Sequence, residues 1–415
     1  MLDSIKKYAK SFRSVDDLDP LITAIGDARY VLLGESSHGT SEFYTIRAEL
    51  TKRLIKEKGF SFIAVEGDWP ACQMINRYIK GFPRSTNSVK EALENFNRWP
   101  TWMWANQEII PLIEWLKDYN QQPYHNVGFY GLDVYSLWES MDEILRYLAE
   151  TNATEYKTAK NAFACFEPFN RNNESYAVSA GYLSEDCMIE ALELLAVIQK
   201  NKWKFEDEQE SSLNMEVNAL VTAHAEEYYR IMVTNDAESW NVRDRHMVDA
   251  LHAVMKFNGQ DAKAIIWEHN THVGDARATN MKDEGMVNVG QLIREQNSQE
   301  DVFTIGFGTY TGTVIASEEW GLSVEEMKVP PAQYGSWEFL MHQAGAHDKY
   351  LIFSDQNRGE FSTTIGHRAI GVVYRPEYEH LGNYVPSKMG LRYDGFIFVD
   401  QTKALHPLVL ERVLI

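Results

Sequence analysis

The sequence predicts an α/β fold: a largely parallel central sheet flanked by helices, with an inserted helical bundle and a smaller C-terminal α+β layer. Three observations carry this prediction. Short apolar runs rich in β-branched and aromatic residues recur without polar alternation, as strands covered on both faces do. Between the first two runs lies one amphipathic helix, which is the spacing of a right-handed crossover unit. From about Leu137 to Phe257 the pattern turns almost wholly helical, and strands resume at Ala264.

The predicted strands are Tyr30–Leu33, Phe60–Val65, Val127–Tyr130, Ala264–Trp267, Val302–Phe307, Leu351–Phe353, Ile370–Tyr374 and Phe396–Val399. In Ser41–Lys58 the apolar residues Phe43, Ile46, Leu50 and Leu54 recur at helical intervals, giving one buried face. Gly59 then stops the helix. The middle contributes helices at Glu185–Lys200, Glu208–Val233 and Ala237–Lys256. No Pro/Gly/Ser-rich boundary marks a linker there, so an insertion explains the shift better. The expected division is 1–136 and 258–415 for the two parts of the α/β core, and 137–257 for the insertion. Gly306-Phe-Gly308-Thr-Tyr-Thr-Gly312 resembles a phosphate loop, but no helix follows it, so a turn is expected.

With 415 residues, 44% apolar and 24% charged, the chain has ample material for a core. Its 40 basic and 60 acidic side chains leave a net charge of −20, which repels phosphate backbones and anionic headgroups. Nucleic acid and membranes are therefore not expected partners, whereas neutral or cationic small molecules are tolerated. No stretch approaches the roughly 18 apolar residues of a membrane span, and the N-terminus lacks a secretory signal. Cys72, Cys165 and Cys187 cannot all pair and form no Cys-x-x-Cys, a usage that suits a reducing compartment. The cytoplasm is the expected location, where the sequons at Asn152 and Asn173 carry no meaning. The oligomeric state is not legible.

Candidate chemistry gathers at strand ends, where ligands bind in open α/β sheets. Leu33-Gly34-Glu35-Ser36-Ser37-His38-Gly39-Thr40 follows the first predicted strand and leads into a helix bearing Arg47. Gly34 and Gly39 are expected to let the backbone turn sharply. Glu66 ends the second strand in Val65-Glu66-Gly67-Asp68 and is expected within reach of Glu35 or His38. Ile266-Trp267-Glu268-His269-Asn270-Thr271-His272 follows a third strand. Each motif taken alone also suits a helix cap, a turn or a backbone-bonded histidine. Two glutamates, three histidines and an arginine delivered together are not required by packing.

Other signals are weaker. Gly34-Glu35-Ser36-Ser37-His38 breaks the Gly-x-Ser-x-Gly elbow at its last position. Trp99, Trp102 and Trp104 around Pro100 suit packing better than a wall for an apolar substrate. His342 and His347 are awkwardly spaced for one helical face. His224, Glu227 and Tyr228 share a helical face expected to be solvated or an interface.

Together these motifs resemble the erythromycin esterases. The resemblance rests on Leu33–Phe43 with Arg47, Ala64-Val-Glu66-Gly-Asp, Asn241-Val-Arg-Asp244-Arg-His-Met and Trp267-Glu-His269-Asn-Thr-His272. Ile370-Gly-Val-Val-Tyr-Arg-Pro-Glu and Tyr393-Asp-Gly-Phe-Ile-Phe extend it, so it covers essentially the whole chain. The resemblance implies hydrolysis of an ester, a macrolide lactone in particular, with His38 as base and Glu35, Arg47, Glu66, His269 and His272 lining the site. No cofactor is required on this reading, although a divalent metal is compatible. Two alternatives stand beside it: a metal-dependent hydrolase using the same Glu/His cluster, and a non-catalytic protein that binds a metal or cofactor.

Overall fold

The structure, a computed structural model, describes residues 1–207 and 209–408. In chain order its strands are β1 (Lys10–Ser11), β2 (Tyr30–Leu33), β3 (Phe62–Asp68), β4 (Gly128–Asp133), β5 (Ala264–Trp267), β6 (Val302–Ala316), β7 (Glu325–Val329), β8 (Lys349–Ile352), β9 (Thr364–Arg368), β10 (Tyr384–Lys388) and β11 (Gly395–Thr402). The fold is mixed α/β, with a large, mostly parallel sheet flanked by helices, as the unbroken apolar runs led one to expect. Two compact units divide the chain. The first holds Met1–Ile63, Asn87–Gly128 and the chain from Lys263 onward; the second holds Ala64–Thr86 and Phe129–Ala262. Their bounds differ from the expected 137–257 insertion, because the second unit also takes most of β3 and all but the first residue of β4.

In the first unit the strands run in the order β1-β8-β11-β6-β2-β5. The neighbours β11–β6, β6–β2 and β2–β5 are parallel, and Leu33 stands opposite both Ile305 and Trp267. Every residue of β2 and β5 is buried, which explains their lack of polar alternation. The helix Ser41–Lys58 has its predicted bounds and ends on Gly59 in the left-handed region, φ 70°. Its buried face includes Phe43, Tyr44, Arg47, Leu50 and Leu54, so a guanidinium stands where periodicity alone would place an apolar group. β9 and β10 pair antiparallel as a separate two-stranded sheet.

Two expectations fail here. Gly306–Gly312 lies within β6, which is strand as far as Ala316, and is not a turn. Its glycines make room for rings: a Cβ at Gly306 would lie 2.6 Å from the Tyr393 ring, and one at Gly308 2.7 Å from that of Phe396. Ile370–Tyr374 forms no strand. Its β-branched residues are used in isolated bridges, Ile370 with Ser37 and Val373 with Ser317.

The second unit places β3 beside β4 and is otherwise helical, including Trp69–Lys80, Leu137–Glu150, Met188–Asn201, Ser211–Met232 and Asp236–Asn258. Glu208, the expected start of the fourth of these, lies outside the described residues; the helix itself begins at Ser211. Lys80 pairs with Glu210, which also accepts from Asn76 (2.8 Å) and Tyr130 (3.1 Å), fastening the helix Trp69–Lys80 to the start of Ser211–Met232. Cys165 and Cys187 form a disulfide and Cys72 is a buried free thiol. That bond departs from the reading of the cysteines as reduced; a separation of 22 residues carries no signature spacing. His224 is also not simply solvated, since its Nδ1 lies 3.0 Å from His246 Nδ1. No helix among the described residues is long and apolar enough to cross a membrane.

Candidate active site

The chain leaves β2 at Leu33 and immediately presents Glu35 and His38, both buried. His38 Nδ1 lies 2.9 Å from Glu35 Oε1. A carboxylate only accepts, so Nδ1 carries the proton, and in the neutral ring Nε2 is the acceptor atom. The other Glu35 oxygen, Oε2, accepts from Arg47 Nη2. Arg47 in turn donates from Nε to Phe43 O (3.2 Å) and stacks its guanidinium over Tyr44 (4.8 Å) and Trp267 (4.5 Å). A planar cation wedged between aromatic faces has one orientation, and through it Glu35 has one too.

Beyond β5, His269 faces His38, with ring centroids 4.9 Å apart and planes inclined by 42°. It caps the short helix Asn270–Val273: its Nδ1 accepts from Thr271 N (3.3 Å) and meets Thr271 Oγ1 at 2.8 Å. With Nδ1 accepting, the neutral ring carries its proton on Nε2 and is a donor there. The hydrogen bonds thus favour opposite tautomers, with the proton on Nδ1 in His38 and on Nε2 in His269. His272 is buried on the same helix.

Gly39 lies in a turn, as expected, but neither Gly34 nor Gly39 has positive φ, and both serve close approach. A Cβ at Gly34 would lie 2.1 Å from Asn270 Oδ1, and one at Gly39 1.9 Å from Ile315 O. Asn270 is a node that sequence reasoning missed. Its backbone N donates to Glu35 O (2.8 Å), its Nδ2 donates to Phe307 O (2.7 Å), and its Oδ1 accepts from Phe307 N (3.2 Å). Nδ2 also reaches His367 Nε2 (3.2 Å), and His367 Nδ1 donates to Glu338 Oε1. Burial holds the His367 pKa below the usual range, which keeps this ring neutral. Burial alone would raise Glu338, but His367 and Arg368 beside it hold the carboxyl below its ordinary range.

Glu66 belongs to the second unit, where Arg243 Nη2 donates to its Oε1 at 2.8 Å. The same guanidinium makes a two-point contact with Asp133, Nε to Oδ1 at 2.9 Å and Nη2 to Oδ2 at 2.6 Å, and lies 4.8 Å from the Tyr135 ring centre. Burial opposes its charge, but Asp133, Tyr135 and Glu66 together raise its pKa well above normal. Asp133 ends β4 as Glu66 nears the end of β3, so the strand-end argument that selected Glu66 could have found it. Among the described residues no group of three or more His, Cys, Asp or Glu side chains has the arrangement to hold a metal ion.

A carboxylate-set imidazole facing a second imidazole, at the ends of parallel strands, is equipment for moving protons at a bound small molecule. The chain belongs to the erythromycin esterase family, whose model matches residues 55–402. It is 23% identical over 368 residues to the type II erythromycin esterase of Escherichia coli, covering 81% of this chain and 84% of that protein. It is also 23% identical to YbfO of Bacillus subtilis, a protein named as a hydrolase, covering 92% and 86%. Among solved structures it resembles a succinoglycan biosynthesis protein (TM-score 0.79, 22% identity, 98% and 97% covered) and a Bacillus cereus protein (TM-score 0.80, 19%, 98% of each). An erythromycin esterase variant in its open conformation also matches (TM-score 0.66, 15%, 94% and 95%). These likenesses show the shared fold, and family membership supports a hydrolase.

Proposed function

We propose that the protein hydrolyses a carboxylic ester, a macrolide lactone being the favoured substrate, with His38 as general base. One observation carries the reading: His38 Nδ1 is bound to Glu35, which orients the imidazole and places a proton on Nδ1, so that Nε2 is the ring's acceptor atom. Water attacks the ester carbonyl as its proton passes to Nε2, and Glu35 steadies the imidazolium. When the C–O bond breaks, the imidazolium returns that proton to the departing alkoxide, leaving acid and alcohol. His269, as an Nε2 donor, stabilises the tetrahedral oxyanion, with His272 of the same helix assigned to the same task. Arg47, engaged with Glu35, acts as a positioning residue.

The test is a hydrolysis screen over macrolides and simpler esters, read by mass spectrometry in isotopically heavy water. One heavy oxygen should enter the product acid, and folded His38→Asn should lose at least about a hundredfold in rate. Turnover by His38→Asn at the wild-type rate would overturn the assignment. Loss of activity on chelation, restored by a divalent cation, would favour metal-bound hydroxide, and tight binding without product would favour a sequestering protein. Ser36 and Ser37 precede the base, so Ser36→Ala and Ser37→Ala separate direct attack from an acyl-enzyme.

A further inference from the structure

The tryptophan segment of the sequence splits in two. Trp102 and Trp104 are buried, and Trp104 packs on Tyr44 and Trp267. Trp99 is only partly covered. Its ring meets that of Trp320 edge to face, centroids 4.4 Å apart, and Trp320 is 63% exposed. Leu322 and Val373, on the neighbouring loops, are exposed as well.

These indoles are exposed without being loose. Trp99 Nε1 donates to Leu322 O (3.1 Å). The loop carrying Trp320 is tied down by Ser317 Oγ to Glu319 O (2.7 Å), Arg375 Nε to Glu318 O (3.1 Å) and the Arg375–Glu319 ion pair (2.8 Å). Ser317 N donates to Val372 O and Tyr374 N to Ser317 O, which joins this loop to the next. An exposed aromatic already held in place loses little freedom when it binds, which is the property of a recognition anchor.

The position of the pair matters equally. Both loops are fastened to residues flanking His38: Ile315 N donates to Gly39 O (3.0 Å) and Ile370 N to Ser36 O (2.8 Å). The Trp99 segment is tied to the same place, since Gln107 N donates to His406 O and Leu405 N to Gly39 O. Trp320 follows Ile315 by five residues, a reach of at most about 18 Å of extended chain. Preset indoles are therefore carried on segments fastened to the loop that bears the base.

We infer that Trp99 and Trp320 form a platform for the apolar body of the ester, so that the enzyme selects substrates whose non-reacting part is bulky, aliphatic and uncharged or cationic. The net charge of −20 agrees with that class. This rests on the hydrolase reading above and specifies its substrate.

The experiment compares p-nitrophenyl decanoate with p-nitrophenyl acetate in wild type, Trp320→Ala, Trp99→Ala and, as a control, Tyr124→Ala, a fully exposed aromatic in the turn after Ile110–Asn120. The ratio of kcat/KM for decanoate to acetate should fall at least tenfold in Trp320→Ala and hold in Tyr124→Ala. A ratio within twofold of wild type overturns the platform while leaving the hydrolase intact. A second arm needs no turnover: a 14-membered macrolide lactone should quench indole fluorescence of His38→Asn, and adding Trp320→Ala should weaken its Kd at least tenfold. If no ester is cleaved, the hydrolase reading falls and this arm still decides, absent or unchanged binding overturning the platform. Sedimentation showing a wild-type dimer that Trp320→Ala dissociates would assign the pair to self-association and overturn it too.

Discussion

His367 Nε2 lies 3.2 Å from the side-chain nitrogen of Asn270, so a neutral buried imidazole sets the amide whose own backbone nitrogen holds Glu35 O. The arrangement repeats, one layer down, the carboxylate–imidazole pair of Glu35 and His38. Replacing His367 by Phe leaves the buried Glu338 carboxylate with the Arg368 N–H but without its imidazole donor, and should cost about 3–5 kcal/mol. Urea unfolding at neutral pH checks it; a loss under 1 kcal/mol would show that Asn270 is set by Phe307 alone.

Glu35→Gln keeps the shape of the dyad and removes its charge. The amide can present its NH2 to Nδ1 and turn the imidazole to the wrong tautomer, so kcat/KM should drop by roughly 10²–10⁴. Steady-state kinetics on any ester that the wild type cleaves measures this. An unchanged rate would mean that Glu35 serves Arg47 rather than His38.

Three histidines are kept neutral by the fold: burial lowers the pKa of His246 strongly and those of His224 and His367 less. Asp249 and Glu227 pull His224 the other way, while His224 itself lowers His246 further. The unfolded chain binds protons on these rings below about pH 6.5, where the folded chain does not. Stability is then full above that pH and falls as the pH drops through the window beneath it, by at most about 1.4 kcal/mol per unit for each ring. Unfolding at pH 7.5, 6.5 and 5.5 should show the decline, and His246→Asn should flatten it. A stability that rises toward pH 5.5 contradicts the account.

Arg243 is the shared partner of two carboxylates, Asp133 and Glu66. Arg243→Met removes the shared cation from both and should cost about 3–5 kcal/mol, of which Asp133→Asn in the same chain returns part. Failure of the second change to help would mean that the loss is one of packing against Tyr135.

The Cys165–Cys187 bond closes a loop of 22 residues in sequence separation. Replacing both by Ser should lower stability by about 2–4 kcal/mol. Thermal unfolding with and without reductant reads it directly: wild type should respond to reductant and the double variant should not.

β2, β5 and the helix Ser41–Lys58 were legible with correct bounds because burial on both strand faces, or on one helical face, writes itself as a period. Glu35, His38 and His269 were legible as a group because each follows such a strand directly, and their side chains do meet. What escaped was set by partners remote in sequence. Arg243 lies 110 residues from Asp133, and His367 lies 29 from Glu338, with no repeating interval to reveal either pair. Ile370–Tyr374 misled for the opposite reason. Its composition is that of a strand, but its amide groups bridge loops near Ser36 and Ser317.

The carbonyl of Gly39 accepts both Ile315 N and Leu405 N. Ile315 lies 276 residues beyond Gly39 (315 − 39) and Leu405 lies 366 beyond it (405 − 39), so the first clasp can be made well before the second. The loop that bears His38 is therefore set by segments made long after it, and a product truncated before Leu405 would keep the Ile315 clasp and lose the other.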